Sequence, residues 1–347
     1  MKQKTHQRTS KSPTIAEIAA RAGVSIPTVS RVLNNRPDVA PETRERVELI
    51  IKESGFVHSR LVNALRRGGS GIIDIVVPGL DTLYSVEIVR GVEEVVERTG
   101  LRLALSTTNN ALQREQQWLE KILEGDTDGV ILVLSRSQSK NLEELQRRQI
   151  PFVVVDHRGE LGGDIPSVSA TNWSGGRAAT EYLLSLGHRR IAVIGGGATL
   201  RCSIDRIAGY RAALEEAGIP IRPEYICPGE FMPQTGYEQT SALLELAEPP
   251  TAIFGGSDLQ VMGVYSALRA HGIAVPNAIS VVGFDDVPIA ALVTPALTTV
   301  RQPLVEMGRV ATTTLLHLIA QEPLDSIRVE LATTLIVRES CAALPQS

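Results

Sequence analysis

Polar side chains follow several strand-like apolar segments of this chain, at the points where those segments end. They are Tyr84, Ser85, Ser135, Arg136, Asp156, Ser257, Asp258 and Asp285. In open parallel sheets a ligand binds beyond the carboxyl ends of the strands, so these side chains are candidates for one site. Carboxylate, guanidinium and hydroxyl groups suit a small molecule whose hydroxyls both donate and accept hydrogen bonds, such as a sugar. Each aspartate could instead cap the helix after its strand, and the sequence leaves both interpretations open.

A second set of residues, at 14–34, could contact DNA. The segment TIAEIAARAGVSIPTVSRVLN predicts two short helices joined by a turn at Gly23. Its apolar positions at helical spacing are Ile15, Ile18, Ala19, Ala22, Val24, Val29 and Val32. Ser25 is placed to cap the second helix, and Pro27 lies in its first turn, where a missing N–H costs nothing.

The residues left facing outward from that second helix are Ile26, Pro27, Ser30 and Arg31. An outward face of this kind is typical of a helix that enters a DNA major groove. The alternative is a small helical pair that makes no DNA contact, because such pairs show the same Ala, Gly and Val spacing.

Apolar runs and helical stretches alternate along the rest of the chain. The runs IIDIVV, LRLALST, GVILVLS, PFVVVD, RIAVIG, TAIFGG and ISVVGFDD predict strands, and segments such as RIAGYRAALEEAG between them predict helices. Such alternation is typical of parallel sheets covered by helices on both faces. About 270 residues exceed one such sheet, so we expect an α/β fold with two doubly wound subdomains flanking a ligand cleft, plus a small all-α helix-turn-helix head.

Charge divides the chain into a basic head and an acidic body. The 347 residues carry a net charge of −4, yet residues 1–70 hold 13 Lys or Arg and 6 Asp or Glu. The head is therefore at +7 and the remainder at −11. Phosphates attract the basic head and repel the acidic body. This charge distribution favours a protein that binds nucleic acid through its N-terminal part.

Signatures of other protein classes are missing from the sequence. No apolar run reaches about 18 residues and no apolar segment follows the basic start, so we expect no membrane span, no secretory signal and a cytoplasmic protein. Cys202, Cys227 and Cys341 are scattered, as reduced thiols are. The sequence has no phosphate loop, HExxH or GxSxG, and the GGG at 195–197 lacks the third glycine of a dinucleotide fingerprint. We therefore expect that the protein is not an enzyme and that it has no metal site and no cofactor.

The chain resembles the LacI family of bacterial transcription regulators over nearly its whole length. The resemblance rests on TIAEIAARAGVSIPTVSRVLN, on the hinge-like FVHSRLVNALRRGGS, and on VVPGLDTLYSVEIVRGVEE, LGHRRIAVIGG, RIAGYRAALEEAGI, PTAIFGGSD, ISVVGFDD and LTTVRQP. It implies a DNA-binding head, a hinge helix and an effector domain similar to periplasmic sugar-binding proteins. The hinge departs from the family pattern at His58, Ser59 and Val62, which affects the capping of that helix.

The resemblance also implies which residues contact DNA. Base-edge contacts are expected from Pro27, Ser30 and Arg31, with Ile26 beside them on the same face. Phosphate contacts are expected from Ser25, Thr28 and Asn34. Leu65 matches the hinge leucine that the family inserts into the minor groove.

In the effector domain, the resemblance adds three residues to those that follow the strands. Arg206 matches the family's pocket arginine, Phe231 its stacking aromatic and Gln302 a glutamine on a strand that crosses between the lobes. Ser257 and Asp258 match an Asn-Asp pair, and Asp285 matches the acceptor of a sugar hydroxyl. The predicted effector site is therefore Tyr84, Ser85, Ser135, Asp156, Arg206, Phe231, Ser257, Asp258, Asp285 and Gln302.

These observations give a predicted domain organisation. We expect a disordered basic tail at 1–12, a helix-turn-helix domain at 13–58, a hinge at 59–70 and an effector-binding and dimerisation domain at 71–343. The two lobes of that domain are expected at roughly 71–171 with 302–327, and at 172–301 with 328–343.

The resemblance implies a homodimeric repressor of carbohydrate uptake or catabolism genes that binds palindromic double-stranded operator DNA under control of a small sugar, with no membrane partner. One alternative is a sugar-binding or sensing module whose head is vestigial or binds another partner. Another is a purine or nucleotide effector, which the acidic set Asp156, Asp258 and Asp285 disfavours because it would repel phosphate.

Overall fold

The computed structural model describes residues 15–33, 36, 39–54, 69–109, 111–125, 127–135, 139–157 and 161–344. The chain divides into a small helical unit at its N-terminal end and a larger α/β unit. The predicted tail at 1–12, Asn34, the hinge segment with His58, Ser59, Val62 and Leu65, and Arg136 lie outside the described residues.

The helical unit is a three-helix domain with its own small core. Its helices are α1 (Ile15–Ala22), α2 (Ile26–Leu33) and α3 (Pro41–Ser54). The buried core residues are Ile18, Ala19, Ala22, Val29, Val32 and Val47. Gly23 has φ +63°, and the N–H groups of Gly23 and Val24 bond to Ala20 and Ala19, which ends α1 in a glycine turn. The helix pair and its turn are thus confirmed.

The α/β unit contains two six-stranded sheets within the described residues. The first lobe has β1 (Ile72–Val77), β2 (Arg102–Thr107), β3 (Gly129–Ser135), β4 (Phe152–His157), β5 (Ser167–Ala170) and β11 (Arg328–Leu331), in the order β11-β5-β4-β3-β1-β2. The second has β6 (Ile191–Ile194), β7 (Ile226–Cys227), β8 (Ala252–Gly255), β9 (Ser280–Asp285), β10 (Thr298–Arg301) and β12 (Thr334–Ile336), in the order β12-β10-β9-β8-β6-β7. All pairs are parallel except β10 with β12, so the doubly wound α/β prediction is confirmed.

Helices cover the sheets of both lobes. Along the chain they are α4 (Leu83–Thr99), α5 (Leu112–Glu124), α6 (Ser139–Arg147), α7 (Asn172–Ser185), α8 (Arg201–Glu216), α9 (Pro233–Leu244), α10 (Asp258–Ala270), α11 (Ile289–Leu292) and α12 (Leu304–Ile319). The central strands are buried along most of their length, since both of their faces are covered. This explains why they are continuous apolar runs rather than alternating ones.

The chain passes between the lobes at three places: after β5, after β10 and after β11. Residues 302–303 lead from β10 of the second sheet into α12, which packs on β3, β4 and β5 of the first. The other two crossings are tied together, because the hydroxyls of Thr171 and Thr333 lie 3.0 Å apart.

One predicted lobe boundary is wrong. The sequence predicts residues 328–343 in the second lobe, but β11 pairs in parallel with β5 in the first sheet, so the last crossing lies at 332–333. The segment RVEL is an edge strand whose side chains are alternately exposed and partly buried. It therefore lacks the continuous apolar run by which the other strands of this sheet could be recognised.

Candidate functional site

A cavity of about 280 Å³ lies between the two lobes. Six of the residues predicted from sequence line it: Tyr84, Asp156, Arg206, Phe231, Ser257 and Asp285. Asp156 and Asp285 come from the ends of β4 and β9, Ser257 follows β8, and the others lie on or next to helices that begin at the same edge of each sheet. The strand-end rule therefore located both walls of the cavity.

On the first lobe, Tyr84 and Asp156 form a hydrogen-bonded pair. The Tyr84 hydroxyl donates to Asp156 Oδ2 at 2.6 Å. Burial raises the pKa of Asp156, although the Tyr84 hydrogen bond and the Arg206 charge oppose that rise. Burial, followed by the charge of Asp156, raises the pKa of Tyr84 well above its ordinary range. The phenol therefore remains a donor, and the second oxygen of Asp156 is available to a ligand hydroxyl.

On the second lobe, Arg206 is only 3% exposed, and several contacts hold its buried guanidinium. Its Nε donates to Asn172 Oδ1 at 2.8 Å and its Nη1 donates to the Gly256 carbonyl at 2.5 Å. The guanidinium carbon lies 3.7 Å from the ring centroid of Phe284 and 5.3 Å from that of Phe231. These contacts fix a buried cation against the cavity wall.

Asp285 is the acidic partner of this arginine. Its Oδ1 lies 3.9 Å from Arg206 Nη1 and accepts a hydrogen bond of 2.7 Å from Gln302 Nε2. Burial raises the pKa of Asp285 to about 6, against the opposing charge of Arg206 and the Gln302 hydrogen bond. The residue also has φ +121°, a strained backbone conformation of the kind found at functional sites.

The neighbouring Asp286, with φ +56°, makes a different set of contacts. Its Oδ2 pairs with Arg301 Nε at 2.6 Å and its Oδ1 with Arg338 Nη2 at 2.6 Å. Arg301 is the last residue of β10 and Gln302 begins the crossing to the first lobe. The two adjacent aspartates thus hold consecutive residues of one interlobe crossing, Asp285 through Gln302 and Asp286 through Arg301.

Three predicted effector residues do not line the cavity. Asp258 is fully buried, where its Oδ1 accepts from the Thr299 hydroxyl at 2.6 Å and its Oδ2 from the Val287 N–H at 3.0 Å. Ser85 is buried with its hydroxyl 3.2 Å from that of Thr82. Gln302 lies behind Asp285 rather than in the wall. The strand-end rule placed Ser85 and Asp258 in the correct loops, but their side chains are buried in the protein.

Ser257 and Ser135 are the remaining predicted effector residues. Ser257 lines the cavity and also caps α10, since its Oγ accepts from the Gln260 N–H at 3.1 Å. The capping role of Ser257 is therefore observed, and its contact with a ligand stays a prediction. Ser135 ends β3, and its side chain is outside the described part.

The helical unit presents the predicted outward face on α2. Ile26 is 48% exposed, and Ser25, Pro27 and Arg31 are exposed as well. The Ser25 Oγ accepts from the Thr28 N–H at 3.3 Å and lies 2.9 Å from the Thr28 hydroxyl, which is the predicted cap. Ser30 lies on the same helix, and its side chain is outside the described part.

Comparison with known proteins identifies the family. Residues 14–59 match the family described as bacterial regulatory proteins, lacI family, and residues 180–341 match a periplasmic binding protein-like domain. The chain is 36% identical over 333 residues to the HTH-type transcriptional repressor PurR of Erwinia tasmaniensis, which covers 96% of this chain and 98% of the relative. The chain belongs to the LacI family of bacterial regulatory proteins.

Other LacI-family members match over nearly their full length. The ribose operon repressor of Escherichia coli strain K12 is 34% identical over 328 residues, covering 94% of this chain and 99% of the relative. A solved transcriptional regulator CelR–cellobiose complex is 32% identical with a TM-score of 0.74, covering 94% of this chain and 99% of that one. The lac repressor dimer bound to operator and the anti-inducer ONPF is 25% identical with a TM-score of 0.70, covering 96% and 100%.

Two further observations describe this LacI-family chain. In the part that the structure describes, no helix is both long and apolar enough to span a bilayer. The same part contains no group of three or more His, Cys, Asp or Glu side chains that could hold a metal ion.

Sequence reasoning missed most of the cavity wall. The additional lining residues are Pro78, Asp81, Thr82, Leu83, Leu200, Cys202, Glu230, Met232, Leu259, Val287 and Ile289. Most are within a few residues of a predicted one, so the loops were correct. The apolar residues carry no hydrogen-bonding group that would mark them, whereas Asp81 and Thr82 are polar, follow β1 and could have been recognised by the same strand-end rule as Tyr84.

Proposed function

We propose that this protein is a dimeric repressor of carbohydrate genes whose affinity for a palindromic operator is controlled by a sugar bound in the interlobe cavity. The observation that carries this proposal is the arrangement of Arg206 beside Asp285 in the cavity wall, with Asp285 hydrogen bonded to a residue of an interlobe crossing. Relatives support the ligand class, because one solved regulator holds cellobiose and a regulator from Enterococcus faecium holds ribose.

The polar groups of the cavity suit a neutral polyhydroxylated molecule. Asp156 and Asp285 supply carboxylate oxygens that accept from ligand hydroxyls, and Arg206 supplies a fixed positive charge. Phe231 supplies a ring that can cover an apolar sugar face. The carboxylates outnumber the one lining arginine, so a phosphorylated ligand would meet repulsion.

The DNA interface of the proposal is the exposed face of α2. Pro27, Ser30 and Arg31 would lie at base edges, and Ser25, Thr28 and Asn34 at phosphates. Arg31 can donate two parallel hydrogen bonds to guanine, which makes it the main determinant of sequence preference. Leu65 of the hinge would enter the minor groove between the two heads.

Coupling between the two sites would run through the crossing at 301–303. A sugar that contacts Asp285 changes the partner that Gln302 holds, and Arg301 is tied to the adjacent Asp286. The lobes then change their relative orientation and alter the spacing of the two hinges in the dimer. Couplings of this type are worth about 1–3 kcal/mol, or roughly 5- to 150-fold in affinity.

A gel shift on the DNA upstream of the gene's own operon tests the proposal, with and without a panel of mono- and disaccharides that includes cellobiose, ribose and xylose. The expected result is a retarded band that weakens as salt rises and that one sugar shifts. Asp285→Asn should abolish the sugar effect and leave the band. A retarded band that no sugar changes would require another effector, and purines are the first to try because PurR is a relative.

A further inference from the structure

The segment between the predicted hinge and β1 is rich in glycine. Its residues are Gly68, Gly69, Ser70 and Gly71, a composition that is typical of a flexible linker. The structure describes this segment from residue 69 onward, and there hydrogen bonds fix its backbone. The first lobe therefore holds the end of the hinge through a built contact.

Asp128, the residue before β3, makes that contact. Its Oδ1 accepts from the Ser70 N–H at 2.7 Å and from the Ser70 hydroxyl at 3.1 Å, and its Oδ2 accepts from the Gly71 N–H at 2.9 Å. The Ser70 Oγ in turn accepts from the Ile72 N–H at 3.1 Å. Successive N–H groups that face one anion form a nest, and hydrogen bonds to a carboxylate are roughly twice as strong as neutral ones. We call residues 69–71 together with Asp128 the hinge clamp.

Gly69 and Gly71 allow the clamp to form for steric reasons. A Cβ on Gly69 would lie 2.5 Å from Asp128 Oδ1 and 2.9 Å from its Oδ2, so a larger residue leaves no room for the carboxylate. Gly71 has φ +73°, in the left-handed region that favours glycine. The two glycines therefore let the backbone turn around the carboxylate, and this explains their presence without a flexible linker.

The clamp is joined to the central strands of the first lobe. The Asp128 N–H donates to the Ile72 carbonyl at 2.9 Å, and the Gly71 carbonyl accepts from the Arg102 N–H at 2.8 Å. These residues lie at the beginnings of β1, β2 and β3, and β1 pairs with both of the other strands. Asp128 itself is only 9% exposed. The end of the hinge is therefore fixed to three strands and moves with the first lobe.

We propose that Asp128 is the positioning residue that connects the first lobe to the hinge, so that a change in lobe orientation reaches the DNA-binding head. The inference rests on the proposed sugar-controlled repressor function. Asp128 does not line the effector cavity and lies outside α2, so it acts through the hinge.

The length of the glycine-rich segment shows why the clamp is needed. Without it, the four residues 68–71 can extend to roughly 13–14 Å. That slack exceeds the shifts of about 1–2 Å by which helices commonly move in allosteric transitions. A released segment would therefore absorb the movement of the lobe before it reached the head.

Asp128→Asn in the full-length protein tests the inference. Asn keeps the shape of Asp128, but it loses the charge and turns an NH2 group toward one of the two backbone N–H groups. The ratio of operator affinities with and without the sugar that proves active, measured by fluorescence anisotropy, should fall to less than about a third of the parent ratio, whereas sugar affinity should stay within about twofold. Hydrogen exchange of the Ser70 and Gly71 amides should become at least about tenfold faster.

Thr127→Val is the matched control, because Thr127 precedes Asp128 in the same loop and its hydroxyl donates to the Gly129 carbonyl at 3.0 Å within the first lobe. Urea unfolding measures the stability of both variants. A parent-like ratio in Asp128→Asn overturns the inference and leaves the sugar-controlled function intact. An equal fall of the ratio in Thr127→Val would mean that lost stability is the cause, and would also overturn the inference. A parent protein that responds to no sugar overturns the proposed function together with the inference.

A second variant reaches the same contact from its other side. Gly69 does not have a positive φ, so Gly69→Ala acts by displacing the carboxylate of Asp128. It should lower the ratio as Asp128→Asn does, and the double variant should respond like either single variant, since both changes remove one contact. Gly163→Ala is the control, because a Cβ there meets nothing within 4 Å. Additive losses in the double variant would mean that Gly69 and Asp128 act separately, and would overturn the clamp.

Discussion

Asp285 Oδ1 lies 3.9 Å from Arg206 Nη1, which is too far for a hydrogen bond although both side chains are buried. The arginine instead donates to Asn172 and to the Gly256 carbonyl. The carboxylate of Asp285 is therefore only partly compensated, and burial raises its pKa to about 6. A partly compensated charge in the cavity wall stabilises a bound ligand that donates a hydrogen bond to it, but it destabilises the empty protein.

Asp285→Asn should therefore raise the free energy of unfolding of the empty protein at pH 7.5. A carboxyl whose pKa is raised on folding contributes stability fully below its unfolded value of 3.8 and loses it as pH rises through about 6. Asn mimics the protonated form, so the variant avoids this loss, which reaches about 3 kcal/mol at 1.36 kcal/mol per pKa unit. Urea unfolding at pH 4.5, 6 and 7.5 measures it.

The difference in the free energy of unfolding between Asp285→Asn and the parent protein should grow as the pH rises over this range. Asp205→Asn is the control, because Asp205 forms a more exposed ion pair with Arg201 at the start of α8. A variant that is less stable than the parent at pH 7.5 would mean that the Arg206 contact outweighs the cost of burial.

Arg31→Ala should reduce discrimination between operator and mutated operator by about ten- to a hundredfold, which corresponds to about 1–3 kcal/mol. The reason is that an exposed arginine in the last turn of α2 can bond to a guanine edge. Fluorescence anisotropy with both DNA sequences measures the ratio, and sugar affinity should not change.

Arg46→Ala is the control for this DNA-binding prediction. Arg46 is exposed on α3, so its loss should lower the affinity for both DNA sequences alike. Unchanged discrimination in Arg31→Ala would remove that residue from the base-reading face.

Gly196→Ala should weaken effector binding by about tenfold and destabilise the protein by about 1–3 kcal/mol. A Cβ at this position would lie 2.5–2.8 Å from three ring atoms of Phe231, so the ring must move within the cavity wall. Gly163→Ala is the matched control, because a Cβ there meets nothing within 4 Å. Calorimetry measures the sugar affinity, and urea unfolding measures the stability. A wild-type sugar affinity in Gly196→Ala would exclude Phe231 from the site.

The fold could be predicted from sequence wherever burial leaves a period in the side chains. The buried residues Ile18 and Ala22 lie four residues apart on α1, which is helical spacing, and the run IIDIVV is apolar because β1 is covered on both faces. The edge strand β11 could not be recognised, since RVEL has no such run and its place depends on pairing with β5, more than 150 residues earlier.

The site could be predicted only to the level of its loops. Ser257 and Asp258 are adjacent after β8, yet the first lines the cavity and the second is buried against Thr299 and Val287. Which of two neighbours faces a cavity depends on the turn between strand and helix, and residue types do not encode it. The apolar lining residues, such as Leu259, could not be distinguished from core residues for the same reason.

Asp286→Asn should uncouple the sugar from the operator while leaving each site nearly intact. The parent carboxylate holds Arg301 and Arg338 at 2.6 Å each, and its side chain is only 5% exposed. Asn keeps the shape but loses the charge, so the end of β10 is held less firmly when Asp285 is contacted by ligand.

The measured quantity for Asp286→Asn is the ratio of operator affinities with and without the sugar that proves active. It should fall from the parent value to below about threefold, whereas sugar affinity and sugar-free operator affinity should each stay within about threefold. Glu306→Gln is the control, since Glu306 pairs with Arg309 on the exposed side of α12. If Asp286→Asn retains the parent ratio, the crossing at 301–303 does not transmit the signal, and coupling must run through the Thr171–Thr333 contact instead.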